Sequence, residues 1–466
     1  MVTGWRRLVD DLAGRFMSPW QRPSQGGVVL PHVKLSAVGA QRDDPAQLMP
    51  DRLVVRTVSV DDPGDLVARL PHGQSVAWIR HGEGLAGWGE VARVSIPAGE
   101  DRFTAGEKWL AELFDSAEVT DEVGIPGCGP VAFGSFTFDP TSDGSVLVVP
   151  AAVLGRSSGR SWLTTIGDRH QPSAEPAAPA RAPGGLRWHD GSLTAPQWAH
   201  AVSAAVARIQ AGDLSKVVLA RDLYAAASDE IDARALLARL AARYPDCWTF
   251  CCAGLVGATP ELYIRREGAA VSSLVLAGTT PRGGSAAEDR KLGAALLASP
   301  KDVEEHQYAV ADVRRALAPL CDRLDVDAQP SLLRLANLQH LATHVTGELA
   351  APLVPGHSDA LGEHASALAL AAALHPTAAV CGTPSGAAME LIRELEGMDR
   401  GRYAGPVGWV DADGNGEWGI ALRCAELDGP RARLFAGCGI VADSDPQAEL
   451  AEAQTKFRAM QDALEG

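Results

Sequence analysis

Four short stretches of this 466-residue chain combine ionisable residues in patterns suited to proton or metal chemistry. Lys216 opens the run Lys216-Val217-Val218-Leu219-Ala220-Arg221 and shares a strand face with Val218 and Ala220. Desolvating an ammonium group favours its neutral form, so a lysine held on a sheet face can act as a general base; the alternative is a strand-end lysine that snorkels to water. Glu261 follows a Pro-directed turn in Gly257-Ala258-Thr259-Pro260-Glu261-Leu262. A carboxylate buried there would hold its proton and serve as a general acid, and one left at the rim would be an ordinary strand-start charge. Two helices supply the other two stretches. Ser299-Pro300-Lys301-Asp302 is a capping box with proline at the first helical position, and Glu304, Glu305 and His306 fall in the second turn. Near the C-terminus, Asp445 and Pro446 open a helix whose Leu450, Ala453, Phe457, Met460 and Leu464 form a buried stripe. Glu449, Glu452 and Lys456 lie at i, i+3 and i+7 beside that stripe. Alone, they read as a solvated Glu–Lys pair. Two carboxylate-bearing helices can hold a hard divalent ion such as Mg²⁺ through one or two carboxylates plus substrate oxygens.

Charge sharpens these readings. The chain carries 42 Lys+Arg against 58 Asp+Glu, a formal net charge of −16, so the electrostatic footprint of a nucleic-acid binder is missing. Only six of its basic residues are lysines (Lys34, Lys108, Lys216, Lys291, Lys301 and Lys456), which makes a lysine in an apolar setting informative. A bound cation would also let so acidic a protein receive an anionic substrate.

The elements that must position these residues follow from patterning. Hydrophobic residues make up 46% and charged residues 21%, a globular composition. The longest apolar stretch, around Ala365–Leu374, is too short to span a membrane, and the N-terminus lacks the apolar core of a signal peptide, so a cytoplasmic chain is expected. Residues 1–27 read as an amphipathic lead-in. Residues 28–169 read as a strand-rich part, with strands expected at Val28–Leu35, Leu53–Val60, Ser75–Arg80, Val91–Ile96, Val131–Phe138 and Val146–Val153 and one helix near Ala105–Leu113. The Pro/Ala-rich segment His170–Gly185 reads as a linker or long loop, bounded here as 170–191. Residues 192–466 alternate blocks of strands (Lys216–Tyr224, Trp248–Val256, Leu262–Arg265, Val271–Leu276; then Val407–Val410, Trp418–Leu427, Ala432–Val441) with helices. Strands and helices grouped in runs predict an α+β fold with large, mainly antiparallel sheets and peripheral helices.

Two motifs do not carry function. His81-Gly82-Glu83-Gly84-Leu85-Ala86-Gly87 fits G-x-G-x-x-G, but a strand follows it where a dinucleotide site needs a helix, so the glycines are expected to make a hairpin turn. Asp411-Ala412-Asp413-Gly414-Asn415-Gly416 opens like a calcium loop, yet its twelfth position is Leu422, so it is a turn. Eight cysteines without paired CxxC spacing read as buried free thiols.

The order of motifs says more than their spacing. Lys216–Arg221, Gly257–Leu262, Leu276-Ala277-Gly278-Thr279, Lys301–His306, His375-Pro376-Thr377-Ala378, Gly405–Trp409, Gly414–Trp418 and Phe435–Val441, running into the Glu449–Lys456 helix, resemble the chorismate-utilising enzymes, most closely their isochorismate synthase branch. The resemblance covers about Ser192 to the C-terminus. It implies a small-molecule substrate, chorismate, with no nucleic-acid, membrane or obligate protein partner, and Mg²⁺ as cofactor. It implies Glu305 and Glu452 as metal carboxylates, with Glu449 assisting. The implied substrate-binding set is Tyr403, Arg423 and Lys456, with backbone at Gly437, Cys438, Gly439, Gly278 and Thr279, and His340 in Leu338-Gln339-His340. The implied chemistry is addition of water at C2 with loss of the C4 hydroxyl, Lys216 as base and Glu261 as acid, feeding menaquinone or siderophore biosynthesis. Ammonia-using relatives typically carry Gln at the Lys216 position, and the aminodeoxychorismate type has a nucleophilic lysine where this chain has Ala277. Salicylate synthases share the lysine base and are the nearest alternative; an anthranilate synthase component I-like subunit is the more distant one.

Overall fold

The computed structural model of the chain describes residues 53–167, 179–351, 361 and 364–466. These residues build two large β-sheets, one of 13 strands and one of 10, with helices packed around them. Pairing is antiparallel throughout except for Leu53–Ser59 beside Ala117–Asp121. The expected α+β architecture with large antiparallel sheets is what the chain adopts.

Both sheets mix strands from the first third of the chain with strands from the rest. In the larger sheet Trp248–Cys252 pairs with Ser75–Arg80, placing Phe250 opposite Trp78. In the smaller sheet Pro406–Asp411 pairs with Val131–Ser135, placing Trp409 opposite Phe133. Fully buried Trp78, Phe133, Phe250 and Trp418 fill the space around these seams. Burying aromatic side chains of this size is a dominant stabilising contribution in such cores. Trp78 and Trp248 also donate their indole N–H groups to one oxygen of Glu417, each at 2.8 Å, which ties two strands of the larger sheet to the strand Gly416–Ile420 of the smaller.

Helix ends follow their caps. Thr194 and Gln197 form a capping box for Ala195–Gln210, Ser299 accepts from Asp302 N at the start of Pro300–Leu317, and Asp445 accepts from Gln447 N and Ala448 N at the start of Pro446–Glu465. No helix among the described residues is long and apolar enough to cross a membrane.

Several expected strands divide in two. Val146–Val153 splits into Ser145–Val149 and Ala152–Ser157, which enter different sheets across Pro150. Trp248–Val256 splits at Ala253-Gly254, both with positive φ, into a hairpin of Trp248–Cys252 and Leu255–Thr259. Trp418–Leu427 splits into Gly416–Ile420 and Cys424–Asp428, with Arg423 at φ 48° between them. The glycine-rich motif is corrected as well. The hairpin turn is His81-Gly82, and Glu83–Trp88 is itself a strand. The Asp411 segment is the expected turn, with Asn415 N and Asp413 N donating to the Asp411 carboxylate. All eight cysteines are free, seven of them buried. Arg187–Asp190, within the segment expected as linker, is an edge strand on Leu223–Ala226. The expected strand Val28–Leu35 and the lead-in 1–27 lie outside the described residues.

Candidate active site

The chain crosses between the two sheets at a pair of corners, and the site is built on them. Thr259 ends a strand of the larger sheet and Leu262 begins one of the smaller, so Pro260-Glu261 forms the first corner. Ile420 ends a strand of the smaller sheet and Cys424 begins one of the larger, so Arg423 lies at the second. The corners are laced together: Ile420 N donates to Glu261 O at 3.2 Å, and Ala258 N donates to Arg423 O at 3.2 Å. They open onto a cleft. Glu261, Gly278, Thr279, Glu305, His340, Tyr403, Arg423, Gly437, Gly439, Glu449, Glu452 and Lys456 all line it.

Lys216 is fully buried, which disposes of the snorkelling alternative. Its Nζ lies 3.1 Å from Glu305 Oε1 but makes no well-directed hydrogen bond. Strand pairing sets Val218 opposite Gly439. A Cβ at position 439 would stand 2.1 Å from Glu305 Oε1 and 3.1 Å from Lys216 Cε, so this glycine makes room for the carboxylate and the ammonium.

Glu261 is buried at its corner, and burial pushes its carboxyl up to about 8 against the opposing pull of Leu276 N, Lys216, Arg423 and Lys456. Leu276 N donates to its Oε1 at 3.3 Å. At neutral pH the group is a carboxylic acid with a proton to give.

His340 is held well below the ordinary histidine range by burial and by the neighbouring Arg423 and Lys456. Arg423 Nη2 is 3.4 Å from its Nε2, and Thr279 Oγ1 is 3.1 Å from its Nδ1. Because a guanidinium only donates, the network assigns the proton to Nδ1, which donates to Thr279. Tyr403 stacks on Phe435 with centroids 5.0 Å apart and carries its hydroxyl over Gly437, where a Cβ would come within 3.2 Å of it. Lys456 Nζ donates to Gly437 O at 2.8 Å and sits 2.7 Å from Glu452 Oε1. Burial works against its charge, but Glu452 outweighs it and carries the ammonium above its ordinary value.

The acidic wall has a regular pattern. Glu305 faces Lys216, Glu449 faces Lys301 at 2.9 Å, and Glu452 faces Lys456. Glu449 is nonetheless raised above the usual carboxylate range by burial and by Glu452 beside it. Three carboxylates on one wall are an all-oxygen donor set that a hard divalent ion fits, with the lysines balancing their charge until it binds. Atoms of Cys438, Glu449 and Glu452 gather within 4.8 Å of one another. Burial holds the Cys438 thiol well above its ordinary value, and it donates to the backbone oxygen of Glu449 at 3.3 Å, so it offers no thiolate to such an ion.

The structure thus brings the sequence-derived set to one place, with two differences of position. Cys438 and Lys216 are not on the cleft wall: the first faces the terminal helix, and the second lies behind Glu305. Of the charged lining residues, Lys301, Asp302 and Arg400 were not anticipated as part of the site. Lys301 and Asp302 stood only in a capping box and in a motif of the family resemblance. Arg400 is buried, pairs with Glu396, and donates to Val218 O at 2.8 Å and Val380 O at 2.9 Å, bracing the strand that carries Lys216. Its i,i+4 spacing from Glu396 resembles any solvated helix pair, so spacing gave no signal.

A family model described as "Chorismate binding enzyme" matches residues 55–465. The chain belongs to the chorismate-binding enzyme family. Among curated relatives it is 37% identical over 347 residues to isochorismate synthase DhbC of Bacillus subtilis, covering 72% of this chain and 81% of that protein. Among solved structures it matches a Bacillus anthracis protein assigned as a 2,3-dihydroxybenzoate-specific isochorismate synthase, with TM-score 0.70, 32% identity, and coverage of 86% and 98% of the two chains. The fold also matches MenF, the menaquinone-specific isochorismate synthase of Escherichia coli, with TM-score 0.70, 23% identity, and coverage of 90% and 96%. The match to this family reaches into the first third of the chain, from residue 55, where sequence patterning had shown only a general likeness.

Proposed function

We propose that the chain is an isomerase that converts chorismate to isochorismate, adding water at C2 of the ring as the C4 hydroxyl leaves. The observation that carries this reading is a buried carboxyl on the cleft wall that keeps its proton up to about 8, with a fully buried lysine directly behind Glu305 of that wall. Lys216 takes a proton from the attacking water, and Glu261 gives its proton to the departing hydroxyl, so that one water enters and one leaves. Arg423, Tyr403 and Lys456, with backbone groups at Gly278, Thr279, Gly437 and Gly439, bind and orient the substrate carboxylates, and neutral His340 holds Thr279 and Arg423 in register. Glu305, Glu449 and Glu452 would hold Mg²⁺, whose contribution is to neutralise and orient the ring carboxylate.

Lys216 and Ala277 both argue for water as nucleophile, since ammonia-using relatives differ at these positions. The names of the relatives support isochorismate as product. The two solved structures are named for different end products, 2,3-dihydroxybenzoate and menaquinone, and isochorismate would serve either a siderophore or a menaquinone route. The test is product analysis by NMR after incubation with chorismate and Mg²⁺, with and without ammonium. Isochorismate beside residual chorismate is the expected result. Salicylate with pyruvate, or anthranilate appearing with ammonium, would overturn the assignment.

A further inference from the structure

The carboxylate of Glu449 is gripped at one oxygen by two different donors. Lys301 Nζ lies 2.9 Å from Oε1 and Ser444 Oγ donates to the same atom at 2.7 Å, while Val441 N donates to Ser444 Oγ at 3.2 Å. Glu452 lies beside this carboxylate, with an oxygen of each within 4.8 Å of the other, and helps raise Glu449. The two donors are unlike in kind. Ser444 is buried, neutral and fixed from the turn before the terminal helix, whereas Lys301 is a 37% exposed residue of the cleft lining and carries a charge. A neutral donor can stay in place when a divalent cation arrives at the other oxygen. A charged one opposes that arrival.

Resting on the reading that Glu449 and Glu452 hold Mg²⁺, we propose that Lys301 is a resident counter-cation that competes with the metal for Glu449, while Ser444 is the positioning residue that keeps the carboxylate aimed for it. Lys301 compensates the charge of Glu449 in the metal-free protein and weakens metal binding, so that removing its charge tightens the site. Ser444 acts with the opposite sign: without its hydroxyl, Oε1 loses its fixed partner and the carboxylate can swing out of line.

The test is calorimetric titration of the substrate-free full chain with Mg²⁺ alone, and with Mn²⁺ followed by electron paramagnetic resonance. Lys301→Met is expected to bind the ion about fivefold more tightly than the natural chain, the order of effect of one partly exposed charge. Ser444→Ala is expected to bind it about fivefold more weakly, as for loss of one hydrogen bond to a charged group, with Ser444→Thr restoring affinity. Weaker or unchanged binding by Lys301→Met, or unchanged binding by Ser444→Ala, would overturn the proposal. Glu452→Gln separates it from the metal assignment beneath: unchanged affinity there would mean the ion is held elsewhere, whereas lost affinity with no gain in Lys301→Met rejects the competition alone. Thermal denaturation of each variant confirms that the fold is intact.

Discussion

At the scale of single residues, the site depends on two ionisable groups taken out of water. Glu261 holds its proton up to about 8 in the folded chain, against an ordinary 4.5. Turnover is therefore expected to fall as pH rises through about 8, where the acid is lost, and a pH–rate profile checks this. Glu261→Gln is expected to lower kcat by about 10²–10⁴-fold with little change in chorismate affinity, measured by steady-state kinetics and calorimetry. The same shift has a stability consequence whose sign is fixed by linkage. Between 4.5 and about 8 the folded state binds the Glu261 proton and the unfolded state releases it, so stability falls as pH rises across that window. Glu261→Gln removes this loss, and at pH 7 it is expected to stabilise the chain by on the order of 2–3 kcal/mol, read from denaturant titrations at pH 5 and 7. A smaller difference between the chains at pH 5 than at pH 7 is the expected pattern. Lys216 and Glu261 were legible from strand context and from the family pattern. The burial that distinguishes each from a rim charge was not, because it depends on strands more than 100 residues away.

At the scale of elements, the site depends on glycines and corners that let charged groups approach the backbone. Gly439 lies opposite Val218, and Glu305 occupies the space its side chain would need. Gly439→Ala is expected to push Glu305 off the acidic wall and lower kcat by at least tenfold, while the melting temperature changes by only a few degrees; kinetics and thermal denaturation together check this. A loss of fold with the activity would contradict it. Helix boundaries were legible because their caps are local: Pro300–Leu317 and the start at Pro446 follow directly from Ser299 and Asp445. Strand ends were less so. A continuous apolar run reads as one strand, whereas Ala253-Gly254 and Arg423 break such runs through positive φ, and only glycine announces that in sequence. The strand Leu338–Leu349 escaped notice because it carries polar residues such as Gln339, His340 and Thr343 in buried positions. Those residues face partners supplied by the fold, and alternation rules assume the opposite.

At the scale of the molecule, the site exists because two sheets, each assembled from both ends of the chain, are held in register. Glu417 accepts from Trp78 and Trp248 across that junction and pairs with Arg265 at 2.8 Å. Removing it leaves two indole N–H groups without their acceptor. Glu417→Ala is therefore expected to destabilise the chain by about 2–4 kcal/mol, measured by denaturant unfolding, and to raise KM more than it lowers kcat, because the cleft is loosened while Lys216 and Glu261 remain. An unchanged midpoint would show that the sheets are held without it. The mixed, antiparallel α+β architecture was legible from the grouping of strands and helices. The partnership of the first third with the rest was not, since no local pattern records which distant strand will pair with which.

In the proposed reaction water is the incoming group at C2. This is tested most directly by running the reaction in ¹⁸O-labelled water and locating the label in the product by mass spectrometry and ¹³C NMR. One ¹⁸O atom at C2 of isochorismate, with the original C4 oxygen released as water, is the predicted result. Isochorismate that carries no solvent oxygen would contradict it, because the hydroxyl would then have moved within the molecule and Lys216 would have no water to activate.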